Sequence, residues 1–123
     1  MASVVNVKVS NIRPKYKDLK EWCEDPNNVY IGRGRVVLLG EPKRRFPPSD
    51  AFWANPFKIS KDCSRAQVMK LYEEDIRKKL KKDPTMVYKL KELKGKNLGC
   101  WCTPEPCHGN VLQKLLKEYE GYL

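Results

Sequence analysis

The chain has one histidine, His108, among 123 residues. No Ser-His-Asp triad can be built elsewhere, so any scheme that needs an imidazole must run through this position. Long hydrophobic runs are missing too. No apolar stretch reaches the roughly 18 residues that a bilayer span requires, and the N-terminal residues lack the long apolar region of a signal peptide; no membrane partner is expected. There are no internal repeats and no low-complexity linker, which speaks against a repeat array. No Walker-type phosphate loop is present either. The five cysteines are odd in number and unevenly spaced, a poor basis for a small disulfide scaffold. An intracellular, reducing compartment is expected, with thiols free or bound to metal.

What is abundant is positive charge. Lys and Arg number 25 against 15 Asp and Glu, for a net charge of +10. The excess is clustered at Arg33-Gly34-Arg35, at Lys43-Arg44-Arg45 and at Arg77-Lys78-Lys79 with Lys81-Lys82. Such clusters favour polyanions, so nucleic acid or a nucleotide is the expected partner. The length suits one domain spanning residues 1–123, large enough for a modest core.

Alternation of Val5, Val7 and Val9 predicts a first strand over residues 4–9. Leu19, Trp22 and Cys23 predict a short helix within residues 13–25, closed by Asp25-Pro26-Asn27-Asn28. Short strands follow at residues 29–32 and 36–39, then a basic loop over 43–50 and an irregular aromatic segment over 51–57. Ser64 and Gln67 form a capping box before a helix whose apolar face is Val68, Leu71, Tyr72, Ile76 and Leu80. Asp83-Pro84 opens another helix, with Val87, Leu90 and Leu93 inward and a stop at Gly95. A strand over residues 97–102 and a helix over 108–119, with Val111, Leu112, Leu115, Leu116 and Tyr119 inward, complete the chain. The fold class is α/β: a small sheet with flanking helices, its site at a strand C-terminal end and a helix N-terminus.

Three cysteines and the histidine crowd into Cys100-Trp101-Cys102-Thr103-Pro104-Glu105-Pro106-Cys107-His108. Two functional readings compete. Cys100, Cys102, Cys107 and His108 have the side chains of a zinc site, although C-x-C-x4-C-H is an uncommon spacing and no second half-site lies elsewhere. Alternatively the segment is an active-site or ligand-binding loop, with Cys102 or Cys107 as nucleophile, His108 as acid, base or anion donor, and Glu105 as its carboxylate partner. Cysteines buried purely for packing are the third option. Cys23 and Cys63 lack suitable neighbours.

Gly32, Arg33 and Arg35 follow a short strand, where glycine permits close approach and arginine grips phosphate. Trp53 offers a stacking face and Asn55 a paired donor and acceptor for a base edge. Trp101 within the Cys/His segment and Gly109 and Asn110 directly after it complete the set of expected ligand-binding positions.

The stretches Tyr30-Ile31-Gly32-Arg33, Trp53-Ala54-Asn55-Pro56-Phe57-Lys58-Ile59, Leu93-Lys94-Gly95-Lys96-Asn97-Leu98-Gly99-Cys100-Trp101-Cys102 and Pro106-Cys107-His108-Gly109-Asn110-Val111-Leu112 occur in that order. Over about residues 28–118 the chain resembles a domain-of-unknown-function family of bacteria, phages and large DNA viruses with YIGR, W-x-NPF, GK-x-L-x-CWC and P-x-x-CHG-D motifs. This chain has Asn110 where that pattern has Asp, and a longer stretch between Arg33 and Ala51. A viral member would work in the cytoplasm, the nucleus or a virus factory. The last motif is also weakly similar to a second uncharacterised family, in which a strand ending LLC leads to a CHR helix start. That likeness implies nucleotide or nucleic-acid processing at an N-glycosidic bond. The function expected is therefore a nucleotide- or nucleic-acid-binding domain, with or without an enzymatic activity on a nucleoside or nucleotide by N-glycosidic transfer or hydrolysis. The alternative from a different class is a non-enzymatic module stabilised by zinc that binds nucleic acid or serves as an adaptor.

Overall fold

The structure is a computed structural model describing residues 2–103 and 105–120. Its centre is a three-stranded parallel sheet of order β1-β5-β2. Here β1 is Ser3–Asn6, β2 is Asn28–Tyr30 and β5 is Asn97–Cys100. The last strand in sequence lies in the middle, with Leu98 opposite both Val4 and Val29. Parallel neighbours need crossovers, and those crossovers cover both faces.

On one face lie α1 (Val9–Ile12) and α2 (Leu19–Glu24), which link β1 to β2. Val7, Ile12, Leu19 and Trp22 form a small core there. On the other face lie α3 (Arg65–Lys82), α4 (Pro84–Lys91) and α5 (His108–Tyr119). Their larger core gathers Tyr72, Ile76, Leu80, Leu90, Leu98, Leu112 and Leu115. The period of two along β5 feeds both cores: Leu98 and Cys100 face the large one, while Gly99 lies against Trp22 and Val7.

Local chemistry fixes the helix boundaries. Ser64 and Gln67 make a reciprocal capping box at the start of α3. Asp83 ends α3 and caps α4 by accepting from the Thr85 N–H, with Pro84 at a position where no N–H is needed. Gly95, at φ +76°, turns the chain from α4 into β5.

Some elements differ from expectation. The first strand stops at Asn6, and the chain turns into α1 at Val9. The segment 13–25 is helical only from Leu19, where Asp18 caps the first turn. Residues 43–50 are not all loop: β4 (Arg44–Phe46) pairs antiparallel with β3 (Val37–Leu39) in a separate hairpin. This hairpin is the long stretch between Arg33 and Ala51, and its basic residues Lys43, Arg44 and Arg45 are exposed. The middle strand ends at Cys100, so Cys102 leaves the sheet. Leu71 is exposed, and α4 buries Met86 as well as Leu90, with Val87 half-buried against the same core. No described helix is long and apolar enough to cross a membrane.

Candidate functional site

Parallel sheets bind ligands beyond the C-terminal ends of their strands. Here those ends are Asn6, Tyr30 and Cys100. Beyond them opens a pocket of about 420 Å³, within the usual range for small-molecule sites. Three stretches far apart in sequence converge on it: Gly32 and Arg33 after β2, Asn55 and Phe57 from the irregular segment, and Cys100, Trp101, Cys102, Cys107 and His108 around the β5–α5 loop. Lys58, Ile59, Arg65, Val68 and Met69 close the wall from α3 and its approach.

Polar contacts hold the loops in place. Arg33 donates through one terminal nitrogen to the carbonyls of Asn55 and Phe57, at 3.2 and 3.1 Å. A guanidinium carries five N–H donors, so donors remain for a ligand. The Tyr30 hydroxyl donates to the Arg33 carbonyl at 2.7 Å and accepts from the Trp101 indole at 2.8 Å. Asn6 Nδ2 donates to the Thr103 carbonyl at 2.7 Å, fixing the β5–α5 loop against β1. Arg65 donates to the Pro106 carbonyl at 3.1 Å from the opposite side.

The two innermost sulfurs touch. Cys100 Sγ and Cys107 Sγ are 3.2 Å apart. The Cys107 S–H and the backbone N–H groups of Thr103 and Cys102 favour a thiolate on Cys100, whose pKa is lowered to about 6 although burial opposes this. The same bond pins the proton on Cys107 and raises its pKa, with burial adding to the effect. A depressed folded-state pKa contributes stability that is complete above the unfolded value of 9.0 and lost as pH falls through about 6. The raised Cys107 acts oppositely, with its contribution complete below 9.0 and lost only at higher pH. Stability contributed by the pair therefore rises between pH 6 and 9. Titration of the ultraviolet thiolate absorbance should show one thiolate per chain forming near pH 6 in the wild type. In Cys107→Ala that step should move up by about one unit or more, because the S–H donor is gone.

His108 is buried at the first turn of α5, its ring edge on Tyr72. Its Nε2 lies 2.6 Å from the Ile31 carbonyl, so that nitrogen carries the proton and Nδ1 is left as the acceptor. Burial lowers its pKa and the Arg33 charge adds to this, against the opposing effect of the Ile31 carbonyl, so the site favours the neutral ring.

The remaining sequence-predicted residues fall into separate places. Trp53 lies in the large core and its carbonyl accepts from the Tyr72 hydroxyl at 2.7 Å, so it does not line this pocket. Trp101, partly exposed on the wall, is the aromatic face there. Asn55 lines the pocket, yet its Oδ1 accepts from the Phe57 N–H at 2.9 Å within its own turn. Arg35 is exposed and outside the pocket, and the Gly34 N–H is taken by Asp50. Glu105 is exposed and does not line the pocket. Asn110 Oδ1 accepts from the Cys107 N–H at 3.0 Å, capping α5. An Asp at that position would accept the same bond, which accounts physically for either residue there. Gly109 is buried where an added Cβ would press on Ile31 and Val4 at 3.1 Å, so it sets how closely α5 approaches the sheet. Among the described residues no group of three or more His, Cys, Asp or Glu side chains is placed to hold a metal ion, and of the His108 ring only Nδ1 is open, since Nε2 bonds the Ile31 carbonyl. Sequence reasoning missed Asn6, Lys58 and Arg65. Lys58 adjoins the Trp53–Phe57 stretch, Arg65 sits within the Ser64–Gln67 cap and Asn6 within a valine-rich strand, and residue type alone does not mark any of them as pocket residues.

The chain is similar to proteins of a phage and of a large DNA virus. An uncharacterised 12.4 kDa protein from the nrdA-td intergenic region of Enterobacteria phage T4 is 33% identical over 66 residues, 53% of this chain. The matched stretch spans 59% of the phage protein's own length. An uncharacterised protein of Acanthamoeba polyphaga mimivirus is 36% identical over 119 residues, 90% of this chain and 80% of the relative. No solved structure matches the chain. Residues 15–118 match the model described as Domain of unknown function (DUF4326), and the chain belongs to that family.

Proposed function

We propose that the pocket at the strand ends binds a nucleotide, free or as the terminal unit of a nucleic acid. The observation that carries this reading is the convergence of Arg33, Lys58 and Arg65 with the Trp101 face on one wall system, in a chain of net charge +10. Cations fit a phosphate, and the indole with Phe57 and Met69 fits a base or sugar. Exposed basic residues on the β3–β4 hairpin would add attraction for a longer polyanion without sequence preference.

No described carboxylate lines the pocket. A transfer or hydrolysis at an N-glycosidic bond would therefore run on the thiols of Cys100 and Cys102 and on the neutral His108, with Glu105 outside the machinery. In such a reaction the Cys100 thiolate would form an S–C bond to the glycosyl carbon as the C–N bond breaks and the base leaves, and a second acceptor (transfer) or water (hydrolysis) would then break the S–C bond.

Isothermal titration with nucleoside 5′-monophosphates and the matching nucleosides tests the binding claim. The monophosphate should bind about tenfold or more tightly, the worth of one or two charge-assisted hydrogen bonds. Equal affinity for the two, or no heat from either, would remove the phosphate-binding role.

A further inference from the structure

We propose that Cys100 and Cys107 form a reversible oxidation site, in which a hydroperoxide small enough to enter the pocket converts the two thiols into an intramolecular disulfide. This inference does not depend on which ligand the pocket takes.

The geometry is already close to that of the product. The sulfurs stand 3.2 Å apart and need to approach by about 1.1 Å to bond. Each sits at the end of a regular element, Cys100 closing β5 and Cys107 capping α5, so the pair bridges the two supports of the pocket loop. Both residues are buried from bulk water yet line the pocket, which gives a small oxidant a route that bulky reagents lack. The donors around Cys100 supply the thiolate that peroxide chemistry requires.

In the first step the Cys100 thiolate attacks one peroxide oxygen. The O–O bond breaks, an S–O bond forms, and the departing hydroxide or alkoxide takes a proton to become water or an alcohol. Cys100 is then a sulfenic acid. In the second step the Cys107 sulfur attacks the Cys100 sulfur. The S–O bond breaks, the S–S bond forms, and hydroxide leaves with the Cys107 proton as water. Two electrons pass from the thiol pair to the peroxide.

The test treats reduced protein with one equivalent of hydrogen peroxide at neutral pH. Two of the five thiols should disappear, the intact mass should fall by two hydrogen atoms, and the unreduced peptide map should link Cys100 to Cys107. Dithiothreitol should restore both thiols. Oxidation should be roughly tenfold faster in the folded chain than in urea, because the thiolate is formed only by the native donors. Cys102→Ser should keep the link, and Cys107→Ser should instead accumulate a Cys100 sulfenic acid that dimedone traps. The proposal is overturned if all five thiols survive, if the linked peptides contain Cys102, Cys23 or Cys63 instead, or if folded and unfolded chains react at equal rates. The wild-type peptide map decides the matter even where a variant fails to fold.

Discussion

Gly99→Ala should destabilise the fold by about 3 kcal/mol, near the upper end for an overpacked core. Gly99 lies on the central strand, paired on both sides, opposite Val5 on β1 and Tyr30 on β2. A Cβ there would run into the Trp22 indole and lie 2.7 Å from a Val7 methyl. Neither neighbour has room to yield. Val7 is fully buried and Trp22 nearly so, and the Trp22 carbonyl holds the buried Asn28 amide at 2.9 Å. Relief would require shifting β5 itself, and β5 carries Cys100 to the pocket floor. Urea denaturation should show a lower midpoint with an unchanged slope, the signature of lost stability in a two-state fold. A change under about 0.5 kcal/mol, the size of a neutral surface substitution, would mean that α2 does not pack on the sheet as described.

Arg33→Ala should weaken nucleoside monophosphate binding by about 10- to 100-fold, the loss of a charge-assisted pair. The same change should lower the melting temperature, because Arg33 also satisfies the carbonyls of Asn55 and Phe57. Arg33→Lys separates the two roles. A single ammonium retains the charge but not the planar fork that reaches two carbonyls and a phosphate together. Arg33→Lys should therefore recover little affinity. Calorimetry and thermal melting on the same preparations read both effects. Full affinity in Arg33→Lys would reduce Arg33 to a diffuse charge, and full affinity in Arg33→Ala would place the phosphate elsewhere, nearer Arg65 or Lys58.

The α/β class and the helices with strong boundary chemistry were legible in the sequence. Ser64 with Gln67 and Asp83 with Pro84 act locally, so their meaning survives without tertiary context. The Val4–Val9 run was harder to divide, because Val7 and Val9 keep strand-like chemistry beyond the last ladder position, while the turn that ends β1 is a single local bond from the Lys8 N–H to the Asn6 Oδ1 at 2.9 Å. The second strand of the hairpin, β4 (Arg44–Phe46), was hidden because exposed basic strands lack the alternation that burial imposes. The site shows the same division. The Cys/His segment, Arg33 and Asn55 announced themselves by residue type and do line one pocket. Trp53 and Trp101 were indistinguishable as residue types, and burial alone assigned one to the core and the other to the wall. Arg65 was masked by a lysine- and arginine-rich helix in which nothing local marks the one cation aimed at the Pro106 loop.

The central claim is that the strand-end pocket, and not the basic surface, takes the nucleotide. The most direct test follows backbone and side-chain amide resonances while a nucleoside 5′-monophosphate is added to the reduced protein. The account predicts saturable shifts confined to the pocket lining, Gly32, Arg33, the 55–58 segment, Arg65, Met69, Trp101, Cys102 and the His108 turn, including the Trp101 indole N–H, whose bond to Tyr30 sits at the pocket edge. Shifts that instead spread over Lys78, Lys79, Lys81 and Lys82 on α3, and leave the Trp101 indole unmoved, would contradict it.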